Sequence, residues 1–597
     1  MKTPRYINGA FFIKHLKVHK IRMKPFVLFA NALLLISWIL PNHYHPWAAA
    51  YHDFAAFAAA FLLIGALLFA RPALKIKSSR FILFLIALCG IPVLHYFTGI
   101  IYFSGDALIS SFYLLGFAAM LLAGYNLAPV NTLRPALINW LAGALTIAAL
   151  ISVWLALYQW TLQPSNIWIA DLPPNARPFA NLAQPNQLAT LLSMGLAAVL
   201  FFYEKHALQR ISSGLLALLL LFGIAITQSR TPWLMAIFFV VLWLWKFNAA
   251  TRRLPRSWAV AWVLIFISFI LVLPYLAEFL LLSDVTPATE RAKASSRWPM
   301  YTQFVHAILD GPLWGYGWQQ GSSAQLAVTP FYAKLEYTEY THNILLDLLV
   351  WNGPILGSII IIAVAYYLLR LAFLARSTEN IFVVMAVGFF LLHSLLEYPH
   401  AYAYFLLPVG LLIGILQADF PCKTWRIPRW SVAVFLIISI GLYAMIWHEY
   451  RIIEEDYRLM RFEKNRVGTL KADQPAPDVI LLTQLQALTK HSRLPATANM
   501  SAEELDDVSR FAQRFTHPAA LFKYAQALAL NGQPDAAYQQ LMLIKNLHGT
   551  KVLLSAIYEL EQLTEQYPET APLLERLHKL DLDHEKYTPE DTDDITP

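Results

Sequence analysis

Thirteen apolar runs punctuated by short basic loops leave this chain one kind of fold. The runs are 25–41, 52–70, 81–100, 107–125, 136–160, 186–203, 212–228, 232–247, 257–281, 343–369, 380–396, 401–417 and 431–448. Each comes close to the roughly 20 residues that a helix needs to cross a hydrocarbon layer. Backbone groups in lipid must be bonded internally, so the runs read as helices and the class as all-α, a polytopic membrane protein. Composition agrees. Only 14% of residues are charged, against roughly 25% in soluble domains. Two cysteines, Cys89 in a span and Cys422 in a loop, exclude a disulfide framework or a zinc cluster.

Charge divides the chain in two. Residues 1–448 carry 29 Lys and Arg against 14 Asp and Glu, whereas residues 449–597 carry 16 against 24. The reading is a basic cytoplasmic arm, 1–24, then a membrane domain, 25–448, then a helical tail of soluble composition, 449–597. With the arm inside, the inner loops hold 23 basic residues and the outer loops before 449 hold six. That is the asymmetry of the positive-inside rule, and it puts the tail outside. The basic residues sit in short loops, so the positive balance does not point to nucleic acid. The long charged start, with no small-residue cleavage site after the first run, excludes a cleaved signal peptide.

Two outer features stand out. One is a long loop, 282–342, rich in Trp, Tyr and Gly; loops of that length are usually functional or disordered. The other lies in the tail, where 518–546 reads as helix, Asn-Gly turn, helix, like one tetratricopeptide hairpin. A single hairpin cannot bury its own faces, so it must pack on other tail helices or on a partner. Residues 581–597 are acidic and expected to fray.

On an outer face poor in cations, each basic residue calls for a reason. Arg230 stands in TQSRTPW, between two spans; Arg297 stands in SSRWPMY, with Arg291 and Lys293 just before it. An arginine fork grips phosphate oxygens by two bonds at once. Two such forks near the membrane surface would suit a lipid diphosphate, though Arg230 could equally snorkel and Arg297 could pair with Glu290. His342, in YTEYTHNILLDLL, stands where a span begins. An imidazole there could take a proton from an attacking hydroxyl or merely bond the helix start. Gln184 and Asn186, in NLAQPNQLAT, open another span. Their amides suit sugar hydroxyls or phosphate, or helix capping. Glu397, Tyr398 and Tyr402, in HSLLEYPHAYAYF, form a polar turn. A carboxylate at a membrane edge needs a partner, for which an arginine is the natural candidate.

A Walker A loop, an HExxH motif and a Cys/His cluster are all missing from the sequence. An outward-facing enzyme cannot draw on cytoplasmic nucleotide sugars. If it forms glycosidic bonds, its donor should be pre-activated and lipid-borne.

The order QSRTPW, SSRWPMYTQFVHAILDGPLWGYGWQ, THNILLDLLVWNGPILG and HSLLEYPHAYAYFLLP resembles the O-antigen ligase superfamily, and most closely its PglL-type bacterial protein O-oligosaccharyltransferases. The resemblance is dense from about 180 to 410. It implies a GT-C-like membrane glycosyltransferase of the bacterial inner membrane, with its active site facing the periplasm. The implied reaction moves a preassembled glycan from undecaprenyl diphosphate to Ser or Thr of pilin-like or other exported proteins. Transfer would be inverting, with no metal and no cofactor. By the same resemblance Arg230 and Arg297 hold the diphosphate, His342 serves the acceptor hydroxyl, and Gln184, Asn186 and Tyr398 belong to the substrate site, with Glu397 and Arg291 beside them. Pro185 and Ala189 depart from the usual pattern, which bears more on Asn186 than on Gln184. These groups are expected to meet in one outward-facing pocket. Transfer of O-antigen to lipid A-core, or polymerisation of repeat units, is the alternative within the class. A transporter or flippase, or an anchor whose tail scaffolds other proteins, is the alternative outside it.

Overall fold

A computed structural model of the chain describes residues 9–70, 76–130, 132–174, 176–182, 184–247, 252–282, 297–333, 337–464 and 476–580. Arg291 and the acidic stretch 581–597 lie outside the described residues. The chain divides into two compact units. One comprises Met1–Leu88, Phe112–Ala294 and Val364–Ala444, and the other Cys89–Ser111, Ser295–Ala363 and Met445–Pro597.

Each of the thirteen apolar runs coincides with helix. In order these are α1 (Gly9–Ile39), α2 (Ala50–Ala70), the pair α3 (Arg80–Leu88) and α4 (Gly90–Phe97), α5 (Ser104–Leu127), α6 (Arg134–Trp160), α7 (Pro185–Glu204), α8 (Arg210–Ile226), α9 (Thr231–Lys246) and α10 (Arg256–Phe279). After the large loop, which carries α11 (Arg297–Leu309) and α12 (Gly321–Val328), follow α13 (Ile344–Leu374), α14 (Thr378–Ser394), α15 (Ala403–Gln417) and α16 (Arg429–Lys464). Among the described residues eight apolar helices are long enough to cross a membrane, and five more are shorter. Two boundaries differ from the sequence reading. Helix α1 starts at Gly9, so part of the basic arm is helical. Helix α16 runs on to Lys464, well past residue 448. The short run 401–417 is a real and almost wholly buried helix, α15. It packs on α5 through Gly410 and Gly414: a Cβ on Gly414 would lie 2.2 Å from the Leu121 carbonyl oxygen. Small residues four apart let two membrane backbones approach this closely.

In the first unit, the loops that charge assigns to one side bond to one another. Strand β1 (Ile76–Ser79) pairs antiparallel with β2 (Thr424–Ile427). Arg134 and Asn380 share Asp419, at 2.6 and 2.8 Å. Lys205 pairs with Glu379 at 2.6 Å. Glu204 accepts the backbone N–H groups of Arg253 and Leu254 at 2.9 and 2.8 Å. At the other ends of the helices, Asn181 donates to the Ile39 carbonyl at 2.8 Å and Arg177 to that of Gln228 at 3.1 Å. The connections thus sort into a basic face and an opposite face.

The second unit joins the large loop to the tail. Beyond the apolar part of α16, Glu449 accepts N–H groups from Ile480, Leu481 and Leu482, the three residues before α17 (Thr483–Arg493). Then come α18 (Ala502–Arg514), α19 (Pro518–Leu530), α20 (Pro534–His548), α21 (Thr550–Gln566) and α22 (Ala571–His578). Helices α19 and α20 are the expected hairpin, turned at Asn531-Gly532, where Gly532 has φ +73°. Their apolar faces close against α21 and α22 around Leu528, Leu541, Ile544 and Leu553, and Leu326 of the large loop enters the same core. Arg514 forks onto Asp106 at 2.7 and 3.0 Å. Ser322 and Ser323 donate to the Arg514 and Gln513 carbonyls at 3.1 and 2.9 Å. Direct bonds thus join loop and tail, and the four apolar helices α13–α16 stand between them in sequence.

Two expectations follow. Asp106→Ala leaves the Arg514 guanidinium buried without its carboxylate, which costs about 3–5 kcal/mol; hydrogen exchange over α18 should accelerate accordingly. In the tail, burial holds His491 and His548 below the ordinary imidazole value, Asp507 opposing this only in part at His491. Both therefore bind protons more weakly in the folded tail than in the unfolded chain, which takes up protons as pH falls through about 6.5. Asp507 is itself depressed by its bond from His491 and then by Lys490, so it too loses stabilising charge only in strong acid. Opening free energies of α19 amides should rise from pH 5 to pH 7, and His491→Gln with His548→Gln should flatten that rise.

Candidate active site

The candidate polar groups of the sequence fall into two sets, one in each unit. In the first unit, α7 opens with Gln184-Pro185-Asn186. Gln184 occupies the N-cap position in extended conformation (φ −143°, ψ 129°) but its side chain does not cap the helix. Its amide donates instead to the Tyr398 hydroxyl at 2.9 Å. Asn186 donates to the Glu397 carboxylate at 2.8 Å. One turn on, Gln187 donates back to Gln184 at 3.2 Å and accepts the Tyr404 hydroxyl. Thr190 bonds the His393 ring at 2.9 Å. The start of α7 is thereby stitched to the turn between α14 and α15, over 200 residues away in sequence.

A buried carboxylate secures that turn from below. Asp53 of α2 accepts the Ala403 N–H at 2.6 Å, the Tyr404 N–H at 3.4 Å and the Tyr113 hydroxyl at 2.6 Å. The first N–H groups of a helix lack partners within it, and a carboxylate there also meets the positive end of the helix dipole. Asp53 so holds α15 and, through it, Tyr398. Arg230 is the N-cap residue of α9, with an exposed side chain. It follows Gln228, whose φ of +51° turns the chain between α8 and α9.

The second set belongs to the other unit. Arg297 is the first residue of α11, so its guanidinium and the helix dipole favour an anion at the same end. Tyr301, one turn on and on the same helix face, donates to the His342 carbonyl at 3.5 Å. That bond ties the backbone at His342 to the helix that Arg297 opens. His342 is half-buried, with φ +55°. A left-handed conformation costs a non-glycine residue roughly 1–2 kcal/mol, and such residues persist where their surroundings over-determine them. Here Asp347 accepts the Thr341 N–H at 2.9 Å, and Thr341 donates to the Asn343 carbonyl at 2.9 Å. Asn343, not His342, caps α13 by accepting the Leu345 N–H at 2.9 Å.

Helix α13 is not one continuous span. It breaks at Gly353 (φ 73°, ψ 170°), before Pro354. The loop after α11 fills the break: Tyr316 N–H donates to the Val350 carbonyl at 2.9 Å and Gly317 N–H to that of Trp351 at 3.1 Å. A Cβ on Gly353 would lie 1.9 Å from the Leu313 carbonyl oxygen, and one on Gly315 would lie 2.5 Å from Gly353 N. Exposed apolar side chains follow the break at Ile355, Ile359 and Ile362. The 21 residues from Pro354 to Leu374 reach about 31 Å, enough to cross a bilayer. The two turns before Gly353 carry His342 and Asp347 above it.

Sequence reasoning passed over Asp53, Tyr301, Gln187, Asp347 and the break itself. Asn-Gly-Pro inside an apolar run was the available signal for the break; the others have none. Gly353→Ala should lower both thermal stability and activity, the strain exceeding about 1 kcal/mol. Asp347→Ala should lower kcat more than it raises KM for the donor, because it loosens the histidine's backbone, while Asp347→Asn, which keeps an acceptor oxygen, should retain most activity.

Comparison with known proteins covers both sets. Residues 178–202 match a family model described as protein glycosylation ligase, residues 215–362 one described as O-antigen ligase, and residues 381–552 one described as the C-terminal part of a membrane-bound polymerase virulence factor. The first spans Gln184 and Asn186, the second Arg230, Arg297 and His342, the third Glu397 and Tyr398. The chain is 32% identical over 555 residues to the general O-oligosaccharyltransferase of Acinetobacter baylyi, covering 92% of this chain and 96% of that protein. It is 29% identical over 403 residues to the ComP-specific O-oligosaccharyltransferase of the same organism, covering 67% and 72%. The chain belongs to the bacterial O-oligosaccharyltransferases, membrane glycosyltransferases of the O-antigen ligase superfamily.

Proposed function

We propose that this protein transfers a preassembled oligosaccharide from undecaprenyl diphosphate to Ser or Thr of exported, pilin-like proteins, at the periplasmic side of the bacterial inner membrane. The observation that carries the reading is the strained His342, set between Thr341, whose N–H bonds Asp347, and Asn343, which caps α13, and joined through Tyr301 to the helix that Arg297 opens. The acceptor oxygen attacks the anomeric carbon from the side opposite the diphosphate. A C–O bond forms as the sugar–phosphate bond breaks, and the anomeric centre inverts. Negative charge grows on the leaving diphosphate, where Arg230 and Arg297 neutralise it. His342 orients the acceptor hydroxyl and takes its proton. Gln184, Asn186, Tyr398 and Glu397 hold the sugar next to the broken bond, with their amides and hydroxyls already oriented by one another. Arg291 adds positive charge near Arg297 in sequence. Acceptor selection falls to the large loop and tail.

Purified enzyme, lipid-linked glycan and a pilin acceptor should give glycan mass on the pilin. His342→Ala should cut kcat by about 10²–10⁴, the usual share of a general base. Arg297→Ala should cut turnover comparably, with Arg297→Lys restoring only part of it, because lysine lacks the two-bond fork. Both variants should insert and elute as wild type. Unchanged glycopeptides together with truncated lipopolysaccharide in a strain lacking the gene would assign the chain to lipid A-core ligation instead.

A further inference from the structure

Within the first unit, α7, α8, α9 and α10 enclose a cavity of about 450 Å³, which Met385 and Phe389 of α14 close from behind. Along α8 it runs from Arg210 to Ile224, about 21 Å of helix. Most of its wall is apolar, including Leu196, Leu200, Leu221, Phe239, Trp262 and Phe266. Its charged groups collect at one end. Arg210 and Arg253 are its charged members, and both belong to the basic face. Arg253 is committed to the protein: it donates to the Tyr203 and Leu208 carbonyls at 3.1 and 3.0 Å. Arg210 is exposed, and its guanidinium rests 5.2 Å from the centre of the Trp258 ring. Ser213, one turn from Arg210, is 8% exposed, and its hydroxyl finds no hydrogen-bond partner among the described residues. Leaving a buried hydroxyl unbonded costs about 1–3 kcal/mol, so this one is aimed at something the chain does not supply.

We propose that this cavity is a binding site for an anionic phospholipid. One acyl chain fills the apolar length between α7 and α10, the ester oxygens lie beside Ser213, and Arg210 takes the phosphate. Charge decides among lipids. Basic pockets between membrane helices on the cytoplasmic side favour anionic headgroups, and Arg252 and Arg256 flank Arg253 in the same short loop, outnumbering the Glu204 carboxylate there. The donor's polyprenyl chain is the competing occupant, because Pro232 lines the far end two residues from Arg230. The charged lining residues, Arg210 and Arg253, stand at the basic end, and this favours the phospholipid and a lipid site distinct from the transfer chemistry.

Gly214 provides the test. It lines the cavity, and a Cβ there would meet nothing within 4 Å, so Gly214→Trp starts an indole into the space without a clash at its Cβ. Arg210→Glu changes only an exposed side chain. Full-length wild type and both variants would be purified in mild detergent, their lipids extracted and quantified by mass spectrometry. Wild type should retain about one phosphatidylglycerol or cardiolipin per chain. Each variant should retain on the order of tenfold less, about 1.4 kcal/mol, with phosphatidylethanolamine changing little in Arg210→Glu. Adding phosphatidylglycerol to delipidated protein should raise the thermal midpoint of wild type and not of Arg210→Glu. Wild type without retained phospholipid, full retention in both variants, or displacement of a polyprenyl phosphate by Gly214→Trp would each overturn the proposal. Loss in Gly214→Trp with no change in Arg210→Glu would overturn the headgroup assignment.

Discussion

Carbonyl groups released where α13 breaks at Gly353 need donors from outside the helix, and this requirement organises the second unit. Irregular backbone at membrane depth is stable only where protein satisfies it. The chain answers with its own backbone: Tyr316 and Gly317 supply the missing donors to Val350 and Trp351. Glycine at 315, 317 and 353 follows from this, since all three adopt positive φ and two strands of backbone meet at near-contact distance. The consequence reaches the chemistry. A helix anchored at its break presents its first two turns, with Asp347 inside and His342 at the start, as a fixed platform rather than a fraying end.

Buried charge is handled on the same principle. A carboxylate taken out of water must be bonded, and each deep one described has been given a structural task. Asp53 collects the N–H groups that α15 cannot use. Asp106 receives Arg514 and fastens the tail. Glu449 gathers three consecutive N–H groups before α17. Glu397 is also buried and takes the Asn186 amide. It differs in standing beside Tyr398, which takes the Gln184 amide. Lys523 shows the converse. It donates to the His491 and Leu494 carbonyls, yet burial and then Lys490 pull its ammonium down to about 8.

Much of this was legible before any coordinates. Apolar length alone located the helices, because a bilayer imposes one span length. The Asn-Gly turn at 531–532 and the Ala and Leu spacing around it located the hairpin of the tail. Charge sorted the loops, and bonds such as Lys205 with Glu379 join loops sorted to the same face. The helix ends were less legible. Hydropathy changes at 448 while α16 continues to Lys464, since a helix leaving the membrane needs only to exchange apolar for polar side chains and not to stop. The pairing of Gln184 with Tyr398 could not be read at all: the two are 214 residues apart, and an amide before a helix looks the same whether it caps that helix or reaches across to another.

Sequence by itself determined the class, the helices, the sidedness pattern and the residue types able to hold a diphosphate and move a proton. These depend on quantities that add along a chain, namely hydropathy, charge and motif order. Tertiary structure decided what those residues do locally: that Gln184 bonds a tyrosine instead of its own helix, that Asn343 caps α13 and leaves His342 to a strained turn, that a glycine breaks the span below it. Such outcomes turn on which backbone donor meets which acceptor. Hydrogen bonds reach only about 3 Å, so packing settles them where composition cannot.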